Sequence, residues 1–156
     1  MKSFARLTRY YVLKFLRLKG TPWKVALGFT VGACVNFYPT FGLGTVIAGL
    51  IAGAVNINIA AAVLGDLVFK SFFPLFFYFN LLMGNYILGA RANHIHRTIY
   101  LIKHLTLSNL HFIGKAFFLG ALLNTLMLGI SVFILVYLLL VRYRLPLARW
   151  VYKLKK

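Results

Sequence analysis

Hydrophobic and polar positions divide the chain into two long apolar stretches that are separated and flanked by basic segments. Between Lys24 and Arg91 the only charged side chains are Asp66 and Lys70. From Ala116 to Val141 there is no charged residue. A membrane-spanning helix needs about 20 apolar residues, so this second stretch predicts one tilted span and is too short for two.

Glycine and proline interrupt the first apolar stretch. The pattern predicts two helical pieces, about Trp23–Phe37 and Thr45–Asn56, which meet at a non-helical break. Pro39 disfavours helix in the residue before it, and Gly42 and Gly44 permit backbone angles that other residues resist. Each piece is near or below the length that crosses a bilayer. A re-entrant hairpin and a pair of short full spans both fit this pattern.

Small residues within these pieces predict close helix packing. Gly28 and Gly32 are four residues apart, as are Gly49 and Gly53. This spacing lets membrane helices approach closely, so both pairs are expected at helix interfaces. Further along, Pro74 predicts a kink in a helix to which Asn80 and Asn85 give a polar stripe.

The chain divides into four parts on this pattern. Residues 1–20 predict a basic amphipathic interfacial helix, and residues 21–90 a Gly/Pro-rich membrane domain. Residues 91–113 form a basic interfacial segment that carries all four histidines and ends in a turn at Leu107–Asn109. Residues 114–156 predict a transmembrane helix with a basic tail, in which Arg142 and Arg144 end the span and Pro146 follows.

The composition indicates whether this protein is surrounded by water or by the lipid bilayer. It is 62% hydrophobic and has 18 Lys or Arg against one acidic residue, for a net charge of +17. A soluble enzyme needs a mixed charged surface, and a disordered basic tail would lack these hydrophobic residues. The sequence therefore predicts an all-α integral membrane protein. The basic segments adjoin apolar spans, which indicates phospholipid rather than nucleic acid.

Few residues have chemistry to offer. No carboxylate or thiol accompanies the histidines, so neither a metal nor another cofactor is expected. Asp66 and Lys70 share a helix face, which predicts either a self-neutralising structural pair or a functional one. The candidate ligand-binding residues are the polar and turn residues around the break and this pair: Asn36, Pro39, Thr40, Gly42, Thr45, Asn56, Asn58, Asp66 and Lys70.

Several short motifs follow one another at characteristic spacing from Lys19 to Tyr78. They are Gly20-Thr-Pro22, Ala26-Leu-Gly28-Phe29, Gly32, Pro39-Thr-Phe-Gly42, Thr45, Asn56-Ile-Asn58 and Ala61-Ala-Val-Leu-Gly65. Together they resemble the bacterial domain of unknown function 2062. The resemblance implies a small multi-pass inner-membrane protein and carries no activity with it. One departure lies at Asp66–Pro74, where the family often has an Asn-Pro-x-Thr-like segment.

Two functions remain open at this point, and enzyme activity is not expected because no catalytic set is visible. The first is binding or flipping an anionic lipid-linked substrate, either a membrane phospholipid or a polyprenyl-phosphate-like anion. The second is a non-transporting scaffold or accessory subunit that packs on itself or on another membrane protein. Both basic ends are expected in the cytoplasm of the bacterial inner membrane, with an even number of crossings and the histidine segment outside.

Overall fold

The computed structural model describes the backbone of residues 18–88 and 107–153, and the side chains of 18–88 and 114–143. Residues 1–17 of the predicted interfacial helix and residues 91–106 of the predicted basic segment lie outside the described residues. Within them the chain is all-helical and contains no strand, which confirms the fold class at that level. The helices are α1 (Pro22–Val35), α2 (Gly44–Ala54), α3 (Ile59–Lys70), α4 (Phe73–Ile87) and α5 (Leu107–Lys153).

The residues at the start of helix α1 are of types that favour the N-terminus of a helix. The Thr21 hydroxyl accepts a hydrogen bond from the Lys24 amide at 3.4 Å, and Pro22 occupies the first helical position. Both residues are favoured there because the first amides of a helix have no partner within it. The helix ends at Val35, so its predicted extent is correct to within two residues.

Residues 36–43 form the predicted non-helical break between α1 and α2. Phe41 and Gly42 have positive φ angles of 47° and 91°. Phe41, Gly42 and Leu43 are all exposed, and Phe41 is 95% exposed. The break therefore projects an apolar tip from the ends of two short helices.

Helices α3 and α4 are separated by a sharp bend. Asn58 caps α3 by accepting the Ala61 amide at 2.8 Å. The axis of α4 is turned by 81° from that of α3, and the bend falls at Ser71–Phe72. Pro74 lies in the first turn of α4, where its missing N–H costs nothing, so it begins a helix instead of kinking one.

Helix α5 is 47 residues long and continues past both of its expected ends. Leu107–Asn109 is its first turn, not a separate turn, because Ser and Asn suit the start of a helix as well as a loop. Pro146 lies within the helix, where it removes one hydrogen bond without ending the helix. Residues Gly114–Tyr143 have a mean hydropathy of 2.4 and are long and apolar enough to cross a membrane.

Helix α1 lies at the centre of the bundle and packs against α2, α3 and α5, while α4 packs against α5. A methyl group on Gly28 or Gly32 would overlap the carbonyl oxygen of Asn58 or Ala62 on α3. The predicted close approach at this glycine pair is therefore confirmed. The pair Gly49 and Gly53 meets only the Ile59 side chain, at ordinary contact distances of 3.8 and 3.6 Å, so no helix packs closely there.

Candidate functional site

The one acidic side chain of the sequence, Asp66 on α3, lies against the break. Asp66 is 1% exposed, and its carboxylate accepts hydrogen bonds from elements distant in sequence. The Thr45 hydroxyl donates to Oδ2 at 2.5 Å, and the Asn36 amide donates to Oδ1 at 3.2 Å. Asn36 also donates to the backbone carbonyls of Gly32 and Asp66 at 3.1 and 3.2 Å. One carboxylate thus joins the end of α1, the start of α2 and the middle of α3.

The start of α2 fits closely around this carboxylate. A Cβ atom on Gly44 would lie 2.7 Å from Asp66 Oδ1 and 3.0 Å from Thr40 Oγ1. Only glycine therefore allows α2 to begin against the carboxylate. The N-terminal end of a helix carries a partial positive charge, which stabilises an anion at this position. We refer to Asn36, Thr40, Thr45 and Asp66 as the Asp66 cluster.

The predicted pairing of Asp66 with Lys70 is not formed. Lys70 is exposed in the last turn of α3, and among the described residues Asp66 makes no ion pair. Their spacing places them on one face of α3, but the carboxylate turns inward to the break. The ammonium group of Lys70 lies instead where the end of the helix favours a cation.

The remaining candidate residues lie outside the cluster. Asn56, with φ 55°, is exposed in the turn before α3, and Asn58 begins α3 two turns away from Asp66. The Asn58 amide donates to the Lys19 carbonyl at 2.6 Å, which fastens the chain before α1 to α3. Pro39 is half-buried in the break, and a Cβ atom on Gly42 would meet nothing within 4 Å.

A second set of polar contacts joins the break to α4 and α5, through residues that were not among the predicted candidates. Asn80 is fully buried and donates to the carbonyl of Phe37 at 2.8 Å, while Asn124 donates to Asn80 Oδ1 at 3.0 Å. These bonds join α4 and α5 to the first residues of the break. Polar residues at helical spacing in an apolar stretch were the available signal, but spacing does not reveal a partner on another helix.

Contacts with α5 fix the level of the break along that helix. The midpoint of Gly114–Tyr143 falls between Leu128 and Gly129. A Cβ atom on Gly129 would lie 3.2 Å from the Cys34 sulfur, near the end of α1. The start of α1 lies beside the far part of the run, where the rings of Trp23 and Phe133 are 4.6 Å apart. Cys34 is therefore level with the middle of the apolar run, and the break that follows it continues toward the Lys115 end, because Phe37 belongs to the same cluster as Phe117 and Ala121.

An apolar groove opens beside the break. Its volume is about 750 Å³, and its lining residues are Tyr38, Gly114, Lys115, Phe118, Leu119 and Leu122. Five of the six belong to one stripe of α5, and Tyr38 comes from the break. Lys115 is exposed and is the only charged lining residue. We refer to this feature as the Tyr38–Lys115 groove.

Among the described residues, no three His, Cys, Asp or Glu side chains come together. A family model described as an uncharacterized protein conserved in bacteria (DUF2062) matches residues 5–146. No curated protein and no solved structure matches the chain.

Proposed function

This chain belongs to the bacterial DUF2062 family, as its motifs predicted, and we propose that it is a multi-pass inner-membrane protein that binds and flips an anionic lipid-linked ligand. The observation that carries the proposal is the break between α1 and α2, which packs beside the apolar run of α5, between its middle and its Lys115 end. Broken helices inside a membrane are a common way to form a transport site.

The membrane arrangement follows from helix lengths. Helix α1 has 14 residues and α2 has 11, about 21 and 16 Å at 1.5 Å per residue, against a hydrocarbon core of about 30 Å. Neither crosses alone, so we assign them to a re-entrant hairpin whose tip is the break. In this proposal helix α5 crosses once, and the bent pair α3 and α4, long and apolar enough for a span when counted as one, crosses a second time. Two crossings return both ends to one side, which we assign to the cytoplasm because both ends are rich in basic residues.

Within this arrangement the Asp66 cluster serves to hold the hairpin. The carboxylate would repel an anion that approached it, and its hydrogen bonds tie α1, α2 and α3 together. The anionic end of a ligand must therefore be held by cations elsewhere. The chain supplies 18 of them against this one acid, which favours a phosphate-bearing ligand over a cationic one.

The scaffold alternative draws on the glycine surfaces, and the packing reduces its support. Gly28, Gly32 and Gly65 face one another's helices in the α1–α3 contact, and Gly84 and Gly120 do so in the α4–α5 contact. These surfaces are filled by the protein itself and are not available to a partner. The pair Gly49 and Gly53 on α2 is the feature that keeps an oligomer or an accessory role open.

Lipid movement in liposomes tests the proposal. Purified full-length protein is reconstituted, and a single-chain lipid phosphate with a fluorescent label is followed by chemical quenching of the label in the outer leaflet. We expect the protected inner half of the signal to be lost many times faster than in protein-free liposomes. Thr45→Val should slow this movement because it removes the hydroxyl bound to Asp66, and Thr45→Ser is the matched control that keeps the hydroxyl.

No acceleration with folded wild-type protein would overturn the flipping proposal. If another membrane protein then co-purified with the chain in a fixed ratio, the accessory role would replace it.

A further inference from the structure

We propose that the Tyr38–Lys115 groove is a binding site for a lipid that carries a phosphate head group on one long chain. This inference rests on the proposed function and deepens it by assigning the site and the class of the ligand. The groove is separate from the Asp66 cluster, and none of its lining residues is an acid.

Most of the lining residues are apolar and suit a hydrocarbon chain as the ligand. Phe118, Leu119 and Leu122 expose apolar surface along one stripe of α5, and Tyr38 forms the wall on the side of the break. The stripe from Lys115 to Leu122 rises by seven residue steps along α5, about 10 Å at 1.5 Å per residue. An extended chain lying in this groove replaces contact with surrounding lipid by contact with aromatic and leucine side chains.

Lys115 supplies the selectivity for an anion. It is the one charged group in the lining and lies at the end of the apolar run, where α5 meets the edge of the hydrocarbon. Leu122 lies at the other end of the stripe, two turns of α5 closer to the middle of the run. A bound lipid therefore has its head group at Lys115 and its chain toward the bilayer centre, the orientation it has in a membrane leaflet.

One groove with one cation favours one chain with one phosphate. A glycerophospholipid has two chains, whereas the lining consists of a single stripe of α5 with Tyr38 beside it. A lysine held at a membrane surface attracts an anion. We therefore expect a phosphate to improve binding over the corresponding alcohol by about five- to tenfold.

Equilibrium binding in detergent tests the site without depending on lipid movement. Full-length protein is incubated with oleyl phosphate, farnesyl phosphate, oleyl alcohol or phosphatidylglycerol, and the bound lipid is counted by native mass spectrometry. We expect one bound lipid per protein molecule for oleyl phosphate and farnesyl phosphate. Oleyl alcohol and phosphatidylglycerol should bind about five- to tenfold more weakly.

Two variants and two controls locate the site. Lys115→Gln should reduce binding of oleyl phosphate about five- to tenfold and leave oleyl alcohol unchanged, whereas Lys24→Gln removes a distant charge and should change neither. Leu119→Trp should fill the groove and weaken both lipids. Met127→Trp, at an exposed position of α5 outside the lining, should weaken neither.

Equal binding of phosphate and alcohol, or unchanged binding in Lys115→Gln, would overturn the site. Equal binding of phosphatidylglycerol would overturn the single-chain assignment. Specific binding without movement in liposomes would retain the site and reject the flipping proposal.

Discussion

At the scale of single residues, the position of Asp66 shows how one acid can organise a chain with 18 bases. Its carboxylate is buried and accepts hydrogen bonds from Asn36 and Thr45, on either side of the break. Hydrogen bonds to a charged group contribute about 1.5–3 kcal/mol, more than neutral ones. The acid is therefore placed where two helices end and must be joined, and not where it would balance the nearest base.

Asp66→Asn should destabilise the protein, and the loss should not depend on Lys70. We expect a loss of about 1.5–3 kcal/mol in the free energy of unfolding, because the amide retains one acceptor and presents a donor to groups that donate. Lys70→Met should change it by less than about 0.5 kcal/mol, since Lys70 is exposed. Unfolding in a denaturing detergent, followed by tryptophan fluorescence, measures both.

The double variant shows whether Asp66 interacts with Lys70 or only with Asn36 and Thr45. If Asp66 is bound by Asn36 and Thr45 alone, Asp66→Asn with Lys70→Met should be as unstable as Asp66→Asn. Recovery of stability in the double variant would mean that the two residues interact after all.

The sequence identified four residues that do come together: Asn36, Thr40 and Thr45 because they surround a predicted break, and Asp66 because it is the one acid, paired in the prediction with Lys70. It could not show which groups Asp66 contacts. Spacing along a helix predicts neighbours on its surface, as for Lys70, whereas the partners of a buried side chain come from other helices. Asn124 lies outside the predicted set for the same reason, since its partner Asn80 is on α4.

At the scale of helices, close packing depends on a few glycines. The α1–α3 contact places Gly32 against the Ala62 carbonyl and Gly65 against that of Phe29. The four-residue spacing predicted this for Gly28 and Gly32. It failed for Gly49 and Gly53, because the same spacing arises on a helix face that no other described helix approaches closely. The ends of α1 were predicted to within two residues, whereas α5 extends beyond both of its expected ends, because Ser, Asn and Pro also occur within or at the start of a long helix.

Gly32→Ala and Gly49→Ala should have opposite effects. A methyl group on Gly32 overlaps backbone that cannot move alone, so α1 and α3 must separate and lose their shared contacts. We expect the melting temperature in detergent to fall by several degrees or the folded protein to be lost. Gly49 has 3.8 Å to its nearest neighbour, and alanine there should stabilise the helix by up to about 1 kcal/mol. Equal melting temperatures for the two variants would contradict this packing.

Gly42 tests the backbone of the break apart from its packing. Its φ angle is 91° and a Cβ atom there meets nothing, so any cost of substitution comes from the backbone conformation. Gly42→Leu should cost about 1–2 kcal/mol despite its added hydrophobicity, and Gly42→Asn less, since Asn tolerates positive φ better. Equal melting curves for both variants and wild type would mean that the break adopts another conformation.

At the scale of the whole molecule, the depth of the break separates the two arrangements that the sequence left open. A re-entrant hairpin leaves the tip within the hydrocarbon, whereas two short full spans would carry it to the far surface. Cys34 is level with the midpoint of the apolar run, and Tyr38 lies beside the stripe from Lys115 to Leu122, so the break continues from the middle of the run toward its end. How far its tip reaches decides between the hairpin and two full spans. Hydropathy could not decide this, because it measures the length of each helix and not its level beside another.

Cysteine accessibility in cells measures that depth directly. In a Cys34→Ala background, single cysteines replace Lys24, Gly42 and Tyr86, three exposed positions that represent the start of α1, the tip of the break and the end of α4. A charged, membrane-impermeant maleimide is added to intact cells and then to opened membranes. Tyr86→Cys should react in intact cells, because two crossings place the end of α4 outside, and Lys24→Cys should react only once the membranes are opened.

The labelling of Gly42→Cys distinguishes the re-entrant hairpin from two full spans. A thiol reacts with maleimide as the thiolate, which does not form in hydrocarbon, so the tip of a re-entrant hairpin that stays within the hydrocarbon should remain unlabelled under both conditions. Denaturation in detergent must then restore full labelling, which shows that the protein was present and the thiol intact. Labelling of Gly42→Cys in intact cells as fast as Tyr86→Cys would instead make α1 and α2 two full spans. The chain would then cross the membrane four times, and the break would face the outside.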